Sequence, residues 1–254
     1  MSSEVETSLI VFPLKMRDSS ASLGMTKTAD KIIVALDVPT KEAALNLVGL
    51  LRDRISFFKV GLQLYTSEGP AVVREILALG VKVFLDLKLY DIPNTVAGAV
   101  QSAAELGVHM FSIHLSGGDA MVRAAVSARS DNLTILGATV LTSMTQETLS
   151  EVGIVDKVDN QVSRLAKLGV AAGINGLVAS PHEIEILRPQ FGDEIKIVTP
   201  GIRPSWMEAG DQKRIMTPRE ALDAGADYLV IGRPIIAHSS PSDAVARILK
   251  ELSA

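Results

Sequence analysis

The chain has 254 residues, 47% of them hydrophobic, which is enough to bury one large core; α/β barrels commonly use about 250 residues as a single domain. Its formal net charge of −4 excludes a global cationic field, so neither nucleic acid nor an anionic membrane is an expected partner. The sequence contains no cysteine, which excludes disulfides, thiolate metal sites and a cysteine nucleophile and fits a cytoplasmic location.

The first 29 residues are rich in Ser and Thr and show no regular hydrophobic pattern. Their apolar patch, residues 9–14, is interrupted by Pro13 and follows acidic residues, whereas a signal peptide needs a basic start and a longer apolar run. We therefore expect residues 1–29 to be a loosely ordered, irregular extension, with Met25 as an alternative start. A single folded domain is expected over residues 30–254. No uncharged stretch reaches the roughly 18 residues of a membrane-spanning helix, so no membrane segment is predicted.

From Lys31 onward, short β-branched runs alternate with longer helical patterns, which is the order of a parallel sheet covered by helices. Eight such runs predict a closed (β/α)₈ TIM barrel of the α/β class. The expected strands are residues 31–36, 57–61, 81–87, 108–114, 133–140, 175–179, 195–199 and 227–231. Glycines expected to end helices in the left-handed conformation precede four of these strands: Gly80, Gly107, Gly169 and Gly225.

An open, doubly wound sheet has the same alternation of elements, but a dinucleotide-binding fold needs a glycine-rich turn after its first strand. The chain instead continues from Asp37 through Val-Pro to Thr40, which is a suitable N-cap for the next helix. The barrel is therefore the favoured interpretation.

The active site of a barrel lies at the C-terminal ends of its strands, where this sequence places several charged residues. Asp37 follows the first strand, Lys59 lies in the second and Arg233 follows the eighth. Any one of these charges could belong to a solvated strand end. Together they indicate a charged site at the mouth of the barrel.

The third strand ends in the sequence Asp86-Leu-Lys88-Leu-Tyr-Asp91. Because side chains alternate along a strand, Asp86 and Lys88 are expected to face the barrel mouth while the leucines face the helices. Unpaired charges there would be costly, so Lys59 and Asp91 are the expected neighbours in an array of alternating charge. A purely structural ion-pair network is the alternative.

Residues 86–95 read Asp-Leu-Lys-Leu-Tyr-Asp-Ile-Pro-Asn-Thr, which resembles the DxKxxDIPxT signature of the orotidine 5′-phosphate decarboxylase family. The similarity extends from about Lys31 to the C-terminus. It includes His-Leu-Ser-Gly-Gly118, Val-Leu-Thr-Ser143, Thr-Pro-Gly-Ile-Arg203, Asp-Gln-Lys-Arg214 and Ile-Gly-Arg-Pro234. The resemblance implies a TIM-barrel enzyme that converts orotidine 5′-phosphate to uridine 5′-phosphate (UMP) and CO₂, the last step of UMP biosynthesis, without metal or organic cofactor.

The matching positions imply a catalytic array of Lys59, Asp86, Lys88 and Asp91. In this family pattern Lys88 stabilises and then protonates the carbanion at C6 of the pyrimidine. The resemblance also implies that Asp91 and Thr95 cross into the site of a second subunit, and hence that the protein is a homodimer.

The resemblance also implies contacts to the ribose, the pyrimidine and the phosphate. The substrate-binding residues by this reasoning are Asp37, Lys59, Thr95, Thr142, Pro200, Arg203, Gln212, Gly232 and Arg233. Thr142 is expected at the pyrimidine, with the adjacent Ser143 or a helix-capping role as alternatives. Residues 200–218 are long for a loop of this fold and are expected to form a lid that carries Gln212, while Arg203 and Arg214 either bind or secure the loop.

The four histidines have no spacing typical of a metal site. His114 ends the fourth strand and could be a base or a ligand, but a structural core histidine is favoured. His109, His182 and His238 do not form a ligand pattern with it. No metal is predicted.

Two other functions fit parts of the pattern. A related barrel enzyme that acts on a sugar phosphate shares an aspartate and lysine arrangement but uses Mg²⁺, so a metal requirement would support it. A non-catalytic nucleotide-phosphate binder would bind the substrate and product nucleotides equally without turnover, although it has no need for paired lysines and aspartates facing the barrel mouth.

Overall fold

The computed structural model describes residues 28–207 and 215–253. Eight parallel strands form a closed barrel in sequence order, with β1 paired to β2 and to β8. The strands are β1 (Ile32–Ala35), β2 (Phe57–Gly61), β3 (Lys82–Leu89), β4 (Met110–His114), β5 (Thr134–Ala138), β6 (Gly176–Val178), β7 (Lys196–Thr199) and β8 (Tyr228–Ile231). The predicted (β/α)₈ TIM barrel is confirmed.

Helices cover the outside of the barrel. They are α1 (Lys41–Leu51), α2 (Leu62–Ala78), α3 (Pro93–Leu106), α4 (Gly118–Ala128), α5 (Gln146–Glu151), α6 (Val158–Ala171), α7 (Ile184–Phe191), α8 (Pro218–Asp223), α9 (Arg233–Ile236) and α10 (Pro241–Ser253). Thr40 caps α1 as predicted, since its side-chain oxygen accepts a hydrogen bond from the Ala43 N–H at 3.3 Å. The caps and the apolar faces of these helices fix their positions on the sheet.

Apolar side chains fill the inside of the barrel and separate its two ends. They come from alternate positions of the strands: Ile33, Ala35, Phe57, Phe84, Met110, Leu136, Val198 and Val230. The opposite strand faces pack against the helices in a second, larger core that includes Val34, Phe58 and Leu85. Full burial of one such side chain contributes about 1.5–3 kcal/mol. The barrel interior is therefore a packed core, and polar groups gather at its C-terminal mouth.

Four glycines are predicted to end a helix just before the next strand, and three of them do so. Gly80, Gly107 and Gly225 have φ values of 79°, 82° and 109°. The prediction for Gly169 is wrong, because this residue lies inside α6 and Gly173, with φ 96°, follows the helix instead. A Cβ on Gly169 would lie 2.5 Å from Cδ1 of Ile174, so glycine is needed there for close packing.

The predicted N-terminal extension lies outside the described residues except for its last two positions, of which Ala29 is buried in the core. Among helices in residues 28–207 and 215–253, none is long and apolar enough to cross a membrane.

Candidate active site

A cavity of about 280 Å³, lined by both polar and apolar residues, opens at the C-terminal ends of the strands. Its apolar wall includes Phe84, Val140 and Leu141. Most of the site residues predicted from the sequence lie around it: Asp37, Lys59, Asp86, Lys88, Thr142, Ser143, Pro200, Arg203, Gly232 and Arg233. The expected position at the mouth of the barrel is therefore the observed one.

Four side chains form a row of alternating charge, here called the charged array: Asp37, which follows β1, Lys59 of β2, and Asp86 and Lys88 of β3. Lys88 Nζ donates hydrogen bonds to both carboxylate oxygens of Asp86, each at 2.8 Å. Lys59 Nζ lies 3.7 Å from Asp86 Oδ2 and donates to Asp37 Oδ1 at 3.0 Å. Every charge in the array thus has an opposite charge beside it, as the sequence predicted for Lys59, Asp86 and Lys88.

The charged array is partly removed from water, and this sets its electrostatics. The side chains of Asp86 and Lys59 are only 10% and 11% exposed, whereas that of Lys88 is 27% exposed. Burial of the Asp86 carboxyl raises its pKa. The charges of Lys88 and Lys59, together with its hydrogen bonds, lower the pKa by more than burial raises it, so the pKa lies below its ordinary value. Asp86 is consequently an anion at neutral pH.

The end of β3 departs from a regular strand at these residues. Leu85 pairs with Phe111 and Leu89 with Ile113, so residues 86–88 of β3 lie opposite a single residue of β4. Lys88 has a positive φ of 47°, in the left-handed region that costs a side-chain-bearing residue about 1–3 kcal/mol. Asp86 and Lys88 both line the cavity while Leu85, Leu87 and Leu89 pack against the helix-facing core, so the predicted alternation is confirmed. The bulge alters the pairing of β3 with β4 and not this alternation.

Ser112, the residue of β4 opposite this bulge, was not among the residues predicted from the sequence. It is fully buried, its hydroxyl donates to Asp86 Oδ1 at 2.8 Å, and its oxygen accepts from the Lys88 N–H at 2.9 Å. A signal for it exists, because Met110, Ser112 and His114 occupy alternate positions of one strand and Met110 faces the barrel interior. A hydroxyl at an inward position near a strand end is a candidate site residue.

Two glycines make room for the charged array and for a ligand. A Cβ on Gly61 would lie 2.8 Å from Lys59 Nζ, and a Cβ on Gly232 would lie 3.4 Å from Asp37 Oδ2. Gly232 and Arg233, where the chain enters α9, both line the cavity. A backbone N–H at this position and a guanidinium are suited to bind a phosphate.

The two described ends of the predicted lid, residues 200–207 and 215–218, are joined at their base. Ile202 pairs with Met216 in a parallel bridge, and the Arg203 N–H donates to the Met216 carbonyl at 3.0 Å. The Arg203 guanidinium lines the cavity and donates to the Ile202 carbonyl at 2.9 Å. Gln212 and Arg214, predicted as ligand or loop contacts, lie outside the described residues.

Asp91 and Thr95 lie at the surface of the chain and do not line the cavity. The Asp91 carboxylate accepts a hydrogen bond from the Ile92 N–H at 2.6 Å, at the start of the turn into α3. The neighbouring Tyr90 and Ile92 side chains are 66% and 67% exposed. The predicted contact of Asp91 with the other charges therefore does not occur within one chain, and its role across a subunit interface stays a prediction.

The histidines differ in their surroundings. His114 is half-buried at the end of β4, and burial followed by the charge of Lys88 lowers its pKa below the ordinary value. His109 accepts a hydrogen bond from the Val83 N–H through Nδ1 at 3.3 Å, which is a structural role. In the part of the chain that the structure describes, no three His, Asp or Glu side chains are grouped so as to hold a metal ion.

Comparison with known proteins gives a consistent result. The model of the Orotidine 5′-phosphate decarboxylase / HUMPS family matches residues 30–248. Orotidine 5′-phosphate decarboxylase from Heliobacterium modesticaldum is 48% identical over 233 residues, which cover 88% of this chain and 96% of that protein. The protein of the same name from Syntrophotalea carbinolica is 48% identical over 238 residues, covering 91% of this chain and 98% of that one.

Solved structures agree with the sequence relatives. The crystal structure of orotidine 5′-phosphate decarboxylase from Lactobacillus acidophilus superposes with a TM-score of 0.78 at 33% identity, covering 89% of this chain and 100% of that one. An uncharacterized conserved protein from Geobacillus kaustophilus gives a TM-score of 0.76, also at 33% identity, with 87% and 99% covered. With the family match over residues 30–248, this chain belongs to the orotidine 5′-phosphate decarboxylase / HUMPS family.

Proposed function

We propose that this protein decarboxylates orotidine 5′-phosphate to UMP and CO₂, the last step of UMP biosynthesis. The observation that carries the proposal is the charged array of Asp37, Lys59, Asp86 and Lys88, which lies in the same cavity as Arg233. The relatives that carry this activity in their names are 48% identical over nearly their whole length.

The chemistry explains why fixed charge is needed. When the bond between C6 and the carboxylate breaks, its electron pair stays on C6 in the plane of the ring, with no adjacent carbonyl to delocalise it. Preorganised cations are the remaining means of stabilisation. The ammonium of Lys88, held by Asp86 at 2.8 Å, would lie beside C6, stabilise the carbanion and then transfer a proton to it. Solvent returns a proton to the partly exposed lysine.

Asp86 has two compatible roles in this scheme. It orients both lysines through the contacts at 2.8 Å and 3.7 Å. It would also lie near the substrate carboxylate, where two unit charges about 4 Å apart repel by about 4 kcal/mol at an effective dielectric constant of about 20. That repulsion is relieved as CO₂ leaves, so the same residue can organise the site and raise the energy of the bound substrate.

The remaining cavity residues are assigned to the rest of the nucleotide. Asp37 and Lys59 would bind the ribose hydroxyls, Thr142 or Ser143 the pyrimidine edge, and Gly232 with Arg233 the phosphate. Pro200, Arg203 and Gln212 belong to the lid that would close over the ligand. Because the phosphate is remote from C6, its binding energy can be used to close the lid and complete the site.

The enzyme would act as a homodimer in the cytoplasm. Asp91 and Thr95 are exposed beside the apolar side chains of Tyr90 and Ile92, which are 66% and 67% exposed and suit a subunit interface. Across a two-fold axis each chain would supply Asp91 and Thr95 to its partner's cavity. The cytoplasm is proposed because the sequence contains no cysteine.

The test is the loss of orotidine 5′-phosphate absorbance when purified protein is added in EDTA. Wild-type protein and a control variant, Lys82→Ala, are expected to consume the substrate. Lys82 is the matched control because it is an exposed lysine at the opposite end of the same strand. Lys88→Ala is expected to fold but to show no turnover.

Other results would assign the protein differently. Inactivity in EDTA with Mg²⁺-dependent activity on a sugar phosphate would assign it to the metal-dependent barrel enzymes. Equal binding of orotidine 5′-phosphate and UMP without turnover would identify a nucleotide-phosphate binder.

A further inference from the structure

We infer that Ser112 is a positioning residue for this reaction, whose buried hydroxyl holds the Lys88 backbone and the Asp86 carboxylate in the arrangement that joins their charged groups. The inference rests on the proposed function and adds to it a residue of β4 that lies behind the charged array. Ser112 is fully buried and is not one of the residues that line the cavity.

The hydroxyl of Ser112 uses its donor and one acceptor position on two members of one site. It donates to Asp86 Oδ1 at 2.8 Å and accepts from the Lys88 backbone N–H at 2.9 Å. Lys88 Nζ donates in turn to the same Asp86 oxygen at 2.8 Å. Ser112, Asp86 and Lys88 thus form a closed ring of hydrogen bonds, and a change in one member alters the other two.

The pairing of β3 with β4 shows why a side chain is needed there. Residues 86–88 lie opposite Ser112 alone, between the regular pairs of Leu85 with Phe111 and Leu89 with Ile113. In a regular parallel ladder the Lys88 N–H would bond to a backbone carbonyl. The bulge removes that partner, and a buried N–H group requires another acceptor. The Ser112 oxygen is the acceptor that replaces it.

The same contact holds Lys88 at its positive φ of 47°. Non-glycine residues rarely keep this conformation unless surrounding contacts enforce it. Without the Ser112 hydroxyl the backbone can relax, and the ammonium group at the end of the Lys88 side chain would move relative to Asp86. A displacement of about 1 Å in a catalytic site can lower the rate by about 100-fold.

The experiment compares Ser112→Ala with Thr139→Val in orotidine 5′-phosphate turnover. Thr139 is the matched control because its buried hydroxyl also makes a hydrogen bond, to the Val178 carbonyl at 3.3 Å, but contacts no member of the charged array. We expect Ser112→Ala to lower kcat by about 10- to 100-fold while KM and the affinity for UMP change little. Thr139→Val should keep its kcat. Ser112→Cys, which has a similar shape but bonds weakly, should show the same loss and replaces the alanine variant if that variant does not fold.

Wild-type kcat in the Ser112 variant would overturn the inference, as would an equal loss of kcat in Thr139→Val. An unchanged kcat with a raised KM would also overturn it. If wild-type protein does not turn over the substrate, the proposed function fails instead. A crystal structure of Ser112→Ala then decides the positioning role, which is refuted if Lys88 keeps its positive φ and its contact with Asp86, and supported if both change.

Discussion

Replacing Asp86 by Asn removes the negative charge between two lysines but keeps the shape of the side chain. In the wild-type protein Asp86 accepts from Lys88 at 2.8 Å and from Ser112 at 2.8 Å, and it lies 3.7 Å from Lys59 Nζ. The amide nitrogen of Asn is a donor, so it would face donor groups on at least one side. The variant therefore tests the charge of the array rather than its packing.

The magnitude follows from burial and from the contacts that remain. Removing one partner of a buried ion pair typically costs about 3–5 kcal/mol of folding free energy. Lys88 is 27% exposed and Lys59 keeps its contact with Asp37 at 3.0 Å, so the lower end, about 3 kcal/mol, is expected. Loss of the orienting anion should also lower kcat by at least about 100-fold.

Urea denaturation and orotidine 5′-phosphate turnover measure the two effects on the same samples. Asp227→Asn is the matched control, because Asp227 accepts from Arg188 at 2.7 Å and Lys196 at 3.1 Å at the other end of the barrel. This control should lose stability and keep its kcat. The reasoning is refuted if Asp86→Asn retains both its stability and its kcat, or if the control loses activity to the same extent.

Three further predictions concern other parts of the structure. Gly61→Ala places a methyl group 2.8 Å from Lys59 Nζ, so kcat should fall about tenfold or more while the urea midpoint changes little; an unchanged kcat would contradict this. Burial, and then the charge of Lys82, lower the pKa of His109 below 6.5, so the unfolded chain binds the proton more readily. Folding stability should fall as the solution is acidified from about pH 8 to about pH 5, and less so in His109→Asn; equal pH dependence in both proteins would count against the assignment. Ile92→Glu, at a 67% exposed position, should give monomers in analytical ultracentrifugation and lower turnover per chain; a stable, active dimer would exclude this surface as the interface.

The barrel and most of its site could be predicted from local patterns. Alternating strand and helix segments, with charges where strands end, predict Asp37, Lys59 and Arg233 at one mouth of the barrel, and all three line the cavity there. This works because parallel strands in a barrel all bring their C-terminal ends to the same face. The signature at residues 86–95 then indicated the family, which the match over residues 30–248 confirms.

The bulge in β3 could not be predicted in the same way. Alternation along a strand assumes regular pairing, whereas the shift between Leu85 and Leu89 depends on how β3 meets β4. Alternation along β4 indicates that Ser112 faces inward, but its contact with the Lys88 N–H depends on that shift and could not be predicted. A single sequence does not show where one strand carries extra residues relative to its neighbour.

The glycines show a second reason why parts of the structure could not be predicted from the sequence. Gly107 ends a helix in the left-handed conformation, as predicted, but Gly169 lies within α6 where a Cβ would contact Leu115 and Ile174. Both uses favour glycine before a strand, and only the spatial neighbours distinguish them. Similarly, the signature predicts Thr95, and charge compensation together with the signature predicts Asp91 as site residues, but in the folded chain both lie at the surface where the chain turns into α3.

Analysis of the product formed in deuterium oxide tests the central claim most directly. With orotidine 5′-phosphate as substrate, the wild-type protein should yield UMP with deuterium at C6 and one CO₂ per molecule consumed, because Lys88 exchanges its protons with solvent before it protonates the carbanion. The Lys88→Ala variant should yield neither UMP nor CO₂. Unaltered orotidine 5′-phosphate after incubation with folded wild-type protein, or full turnover by Lys88→Ala, would contradict the account.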